Sequence, residues 1–185
     1  TTPPGASVTE EEAKKYVDLY RQENNRVKEL WGEGDTTIAA LSTWGNLKEY
    51  WFGAQTCVKV TKEGLRLPNG LMLRYANLHR ETEGEAVSKY MYDSRNGPVT
   101  IWGGSLVENV VQALARIVVG EQMLMIKERY PVVLTVHDAA VVLVKEDEVE
   151  EARQFIVECM STPPEWGKTL PISCEAKFAK SYGEC

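Results

Sequence analysis

The chain has 185 residues, 43% hydrophobic and 26% charged, the proportions of an ordinary soluble globular protein with room for one substantial core, or one core with a helical annex. A formal net charge of -6 counts against a self-sufficient DNA binder, because phosphate-gripping modules are basic, but not against a module that gathers carboxylates for divalent metals. No window approaches the roughly 18 uncharged apolar residues of a membrane span, residues 1–5 lack a basic or apolar leader, and Cys57, Cys159, Cys174 and Cys185 are scattered, so the expectation is a cytoplasmic protein with reduced thiols, no zinc ribbon and no disulfide frame.

In chain order, Thr9-Glu10-Glu11-Glu12 forms a capping-box pattern, and Ala13, Tyr16, Val17, Tyr20, Val27, Leu30 and Trp31 follow at helical spacing. This predicts an amphipathic helix over 10–32, ended by Gly32-Glu33-Gly34. Asp35 or Thr36 then caps a second, shorter helix through Ile38, Leu41 and Leu47, so residues 1–55 read as a helical segment. After Gly53 the character changes. Cys57 to Val60 is a short β-branched run, Leu65 to Tyr75 reads as two strands about Asn69-Gly70, and Lys89 to Tyr92 and Val99 to Trp102 flank Asn96-Gly97.

Ser105-Leu106-Val107-Glu108 is a second capping box and opens a predicted helix over 106–128. Leu106, Val107, Val110, Val111, Leu114, Ile117 and Val118 sweep around it, which predicts a buried helix. Asn109, Gln112 and Arg116, at i, i+3 and i+7, form one narrow polar stripe, which faces either solvent or a polar partner. Two apolar runs, Pro131 to Val136 and Ala139 to Val144, enclose His137-Asp138 and read as a buried hairpin. A helix over Glu146 to Met160 ends at Pro163-Pro164, and Ile172 to Phe178 supplies a last strand. The fold class is α+β, with a helical segment over 1–55 and a mixed unit over 56–185.

An ionised carboxylate beside strands this apolar is costly unless something pairs with it. Asp138 either simply makes the turn, as aspartate often does, or serves as a metal ligand. Two-metal phosphoryl transfer needs carboxylates at the ends of neighbouring strands, holding magnesium ions about 4 Å apart. A helical His-Asp phosphohydrolase site is rejected, because it needs several histidines and the only other one is His79.

Tyr130-Pro131-Val132-Val133-Leu134-Thr135-Val136-His137-Asp138 resembles motif C of the family A (DNA polymerase I-like) DNA polymerases. Gly103 to Arg116 looks like the helix that precedes that motif, especially in phage polymerases, and Leu65 to Gly70 like the small hairpin before it. Pro163-Pro164-Glu165-Trp166, Leu170-Pro171-Ile172 and Tyr182-Gly183 resemble the closing segment, and Val8 to Trp31 a distal fingers helix. The resemblance implies a small antiparallel palm sheet whose motif C hairpin packs on long helices, preceded by fingers-derived helices over 1–55. It implies that Asp138 binds catalytic Mg2+ and helps activate the primer 3′-hydroxyl, and that His137 lies near the primer terminus. It also implies that Gln112, with Asn109 and Arg116 as weaker members, touches the minor-groove edge of primer-template DNA while deoxynucleoside triphosphates are consumed. The expected setting is the cytoplasm, that of the host if the gene is a phage's, with no membrane.

Two departures matter. Ala139 stands where the family usually has glutamate. Motif A, which carries the other essential metal ligand, and motif B, which holds the triphosphate, are absent, and Asp93 is an unconvincing substitute. The chain alone is therefore expected not to polymerise but to join a partner polypeptide, or a missing segment, that carries motifs A and B. The alternative is a degenerate palm that binds DNA or a replication partner as a scaffold.

Overall fold

A computed structural model describes residues 8–54, 56–81 and 89–184. Among the described residues four α-helices and nine strands order as α1 (Glu10–Glu23), α2 (Asn25–Ser42), β1 (Tyr50–Phe52), β2 (Val58–Thr61), β3 (Gly64–Arg66), β4 (Met72–Leu73), β5 (Ala76–Glu81), β6 (Lys89–Ser94), β7 (Gly97–Ile101), α3 (Gly103–Lys127), β8 (Val132–Val136), β9 (Ala139–Val142) and α4 (Val149–Ser161). The strands form three separate antiparallel sheets, β1-β2-β3-β4, β5-β6-β7 and β8-β9. The architecture is α+β, and both Asn-Gly signals make the hairpins expected of them.

The helical opening differs from expectation. The Thr9 capping box forms, with Glu12 closing it, but the helix breaks at Asn24 rather than at Gly32. Gly32 and Gly34 lie inside α2, and the helix has a packing reason to tolerate them. A Cβ on Gly34 would meet the Gly103 carbonyl oxygen at 2.6 Å, so the missing side chain lets the backbones of α2 and α3 touch. Asp35, expected as a cap for its own helix, accepts instead from the Gly103 amide at 2.6 Å and caps α3 across the crossing. The Ser105 capping box does not form, since α3 begins two residues earlier at Gly103. Residues 1–55 are not wholly helical either. Gly45 and Gly53 adopt positive φ, and β1 pairs with β2.

α2 also holds the first sheet. Glu33 accepts from the Gly53 amide at 2.6 Å, and the Tyr50 hydroxyl donates to Thr37 Oγ1 at 3.1 Å. Ile38 joins Phe52, Val58, Val60, Leu65, Ile101, Leu106 and Val110 in one core. A second core gathers Ile126, Tyr130, Ala152, Cys159 and Met160 around the hairpin and α4. α3 runs through both, giving Leu106, Val110 and Ile117 to the first and Ile126 to the second.

Three expectations about α3 and the last segment are corrected. The helix is buried along one face only, with Val111 and Leu124 exposed, because β8-β9 and the chain end do not close over it. By length and composition α3 is long and apolar enough to cross a membrane, contrary to the sequence reading, and in the structure it packs against α2, β8 and α4. Ile172 to Phe178 makes no strand ladder.

Gly34→Ala is expected to destabilise the fold by about 1–3 kcal/mol through overpacking at the crossing. Gly32→Ala, where a Cβ meets nothing within 4 Å, should be neutral or stabilise by up to about 1 kcal/mol. Urea denaturation of both variants measures the difference.

Candidate active site

Val136 pairs with Ala139, so His137 and Asp138 are the two residues of a tight turn. His137 takes φ of +54°, a left-handed conformation that non-glycine residues adopt at a cost of order 1–2 kcal/mol. Asp138 is exposed and makes no hydrogen bond or ion pair among the described residues. A turn-making aspartate ordinarily bonds its own backbone, so this carboxylate is left available.

The hairpin is not the buried element its apolar strands predict. Val133, Leu134 and Leu143 are 51%, 48% and 61% exposed, because only one face packs against α3 and α4. Among the described residues β8 and β9 pair only with each other, an arrangement that is marginal in water without further strands or a helix beneath it. Behind the turn lies a cavity of about 1010 Å³, which Asp138 lines together with α3, α4, β9 and residues 170–182. Its wall includes Trp166, whose buried Nε1 finds no acceptor among the described residues.

The polar stripe of α3 forms but is not uniform. Asn109 is half-buried and donates to the Tyr75 hydroxyl at 3.2 Å. Burial holds the Tyr75 phenol above its ordinary pKa, so it stays protonated at neutral pH. Gln112 is exposed and donates to Glu108 at 3.3 Å, and Arg116 is an exposed cation with no ion pair among the described residues. No hydrogen bond or ion pair joins any of the three to His137 or Asp138. The buried polar residue of α3 is Gln122, which the stripe omits; its Nε2 donates to the Met160 and Thr162 carbonyls at 2.8 and 3.1 Å. Its place four residues from both Val118 and Ile126 is the signal that puts it on the apolar face.

Among the described residues, no group of three or more His, Cys, Asp or Glu side chains converges to hold a metal ion. Asp93, the nearest substitute for a second ligand, accepts from Asn77 at 3.2 Å in the β5-β6-β7 sheet. Burial pushes the thiols of Cys57, Cys159 and Cys174 up, which disfavours thiolate chemistry.

The chain is 27% identical over 184 residues to a DNA polymerase of Bacillus phage SP02, an alignment that covers 95% of this chain and 28% of that protein. The chain therefore spans less than a third of the length of this relative. No protein-family model matches the chain, nor does a solved structure.

His137→Gly is expected to leave the hairpin as stable or to stabilise it by about 1 kcal/mol, while His137→Val should lose about 1–2 kcal/mol. Amide exchange at Thr135 and Ala140 reads this local opening.

Proposed function

We propose that this chain is the C-terminal palm portion, with distal fingers helices, of a family A, phage-type DNA-directed DNA polymerase that copies a primer-template in DNA replication in the host cytoplasm. The observation that carries the reading is Asp138, a carboxylate without a partner presented by a tight turn between two strands. The similarity to a phage DNA polymerase along nearly the whole chain supports it. An exposed, unpaired carboxylate fits hard-cation ligation, in which magnesium takes one or two carboxylates beside water and phosphate oxygens. Asp138 supplies one such ligand, and motif A, on a partner polypeptide or missing segment, supplies the other, while motif B on the same segment holds the triphosphate.

Bound magnesium supplies activation of the primer 3′-hydroxyl and charge stabilisation at the reacting phosphate. The 3′-oxygen forms a bond to the α-phosphorus of the deoxynucleoside triphosphate as the bond to pyrophosphate breaks. His137, held by its turn, lies beside the primer terminus. Gln112 offers an amide to minor-groove acceptors, which occupy similar places in every base pair and so report geometry rather than sequence. Arg116, on the same stripe, can meet a backbone phosphate.

A second reading has one observation in its favour. Ala139 follows Asp138, and among the described residues no group of three or more His, Cys, Asp or Glu side chains converges, so a palm that binds DNA or a replication partner without catalysis fits these residues too. Primer extension separates the two. The isolated chain should extend no primer. With a polypeptide carrying motifs A and B, synthesis should occur and should fall at least about a thousandfold in Asp138→Ala, the scale of several kcal/mol of lost transition-state stabilisation. An unchanged rate in that variant establishes the scaffold role.

A further inference from the structure

A second cleft, of about 530 Å³, opens where the break between α1 and α2 meets the start of α3. Its size falls within the roughly 300–1,000 Å³ of sites for small organic groups. Two indoles form part of its wall. Trp102 is 51% exposed and meets Trp31 edge to face, with ring centres 5.6 Å apart, and Trp31 stacks in turn on Tyr20. The Trp102 ring occupies the place where a Cβ on Gly104 would stand, so this glycine lets the ring rest against the first turn of α3. Arg21 and Gln22 of α1 and Asn25 and Lys28 of α2 line the same cleft. None of these four side chains makes a hydrogen bond or ion pair among the described residues.

We propose that this cleft seats one unpaired nucleotide of a single-stranded nucleic acid, with its base stacked on Trp102 and its phosphate against Arg21 and Lys28. The proposal goes beyond the polymerase reading and does not rest on it, because such binding is measured without synthesis. The chemistry of the lining selects the ligand. An aromatic side chain holds any unpaired base, since every base has a π face, whereas a base inside a duplex has both faces covered. The amides of Gln22 and Asn25 offer donors and acceptors to a base edge. Asp18 and Asp35 also line the cleft, so its two cations face two carboxylates, of which Asp35 is already engaged by the Gly103 amide. That balance suits a phosphodiester, with its single charge, and disfavours a free nucleoside triphosphate, with several. An apolar peptide laid on the indoles would desolvate both cations without pairing them.

The test titrates the whole chain into a short fluorescein-labelled oligothymidylate at low salt and reads anisotropy. Binding is expected with a Kd below about 1 mM. It should weaken at least about tenfold in Trp102→Ala, and equally when an abasic strand of the same length replaces the oligothymidylate. Trp102→Tyr keeps a stacking ring and should bind within about threefold of the unaltered chain. Gly104→Ala leaves both indoles in the chain but drives Trp102 from its seat, so it should weaken binding too. Arg21→Gln and Lys28→Gln should each reduce the slope of log affinity against log salt by about 0.7, the share of one phosphate of a single strand. Trp51→Ala, at an exposed tryptophan whose ring centre lies 5.8 Å from Lys59 Nζ in the first sheet, should change nothing. Equal affinity for the abasic strand or for a blunt duplex means that the cations alone hold a backbone, and overturns the proposal. Displacement of the strand by thymidine triphosphate at lower concentration than by unlabelled strand reveals a mononucleotide site and overturns it as well. So does an absence of binding up to millimolar chain, or binding that Trp102→Ala leaves intact. None of these outcomes involves Asp138, so primer extension decides the polymerase reading separately.

Discussion

The structure depends on a backbone-to-backbone crossing. Where α2 passes α3, Gly34 and Gly103 have no side chains between them, and the Gly103 amide ends on the Asp35 carboxylate. That contact replaces a local cap with a long-range one, so α3 can start only where α2 permits. Glu33 and Thr37, one residue to either side of the Gly34–Asp35–Thr36 stretch, reach the Gly53 amide and the Tyr50 hydroxyl, tying the first sheet to the same turns of helix. α3 then carries this fixed geometry into the second core through Ile126, against which the hairpin rests. The direction of Asp138 is thus inherited from a glycine contact in another part of the fold.

What was legible in the residues was mostly local. Asn69-Gly70 and Asn96-Gly97 make hairpins because their turns need conformations that few other residue pairs allow. The Thr9 capping box forms because it lies on an exposed helix with no competing partner. The identical logic fails at Ser105, because Asp35, distant in sequence, offers a charged acceptor to the amide two residues earlier. Gly32-Glu33-Gly34 fails as a helix stop for a related reason. Helix propensity is a weak prior, and tertiary contact at Gly34 offsets it.

For the site, the turn itself was readable and its surroundings were not. The apolar runs around His137-Asp138 predict two strands and a bend, which the structure has. The same runs predict burial, yet three of their large side chains are about half-exposed or more. Hydrophobicity reports what a segment covers in its finished assembly, and the sequence does not say that the cover belongs to this chain. The last segment shows the same limit. Ile172 to Lys177 alternate in exposure without a strand's hydrogen bonds, because pairing needs a neighbour at the right spacing. Asn109, read as one member of a stripe, is instead engaged with Tyr75, a partner 34 residues away in sequence.

The charge of the chain bears on how such a site is assembled. Asp138 is exposed, so its carboxylate keeps its water. In the proposed assembly a second carboxylate arrives within about 4 Å, and the two repel by about 1–4 kcal/mol, depending on how far solvent is excluded. A chain with a net charge of -6 offers little to offset that repulsion. A divalent cation between the carboxylates reverses its sign. Joining of the partner segment and binding of the cation then favour each other by the same free energy, since linkage is reciprocal. On that proposal, the acidic balance that argues against phosphate gripping by this chain is what couples the joining of the two segments to binding of the ion.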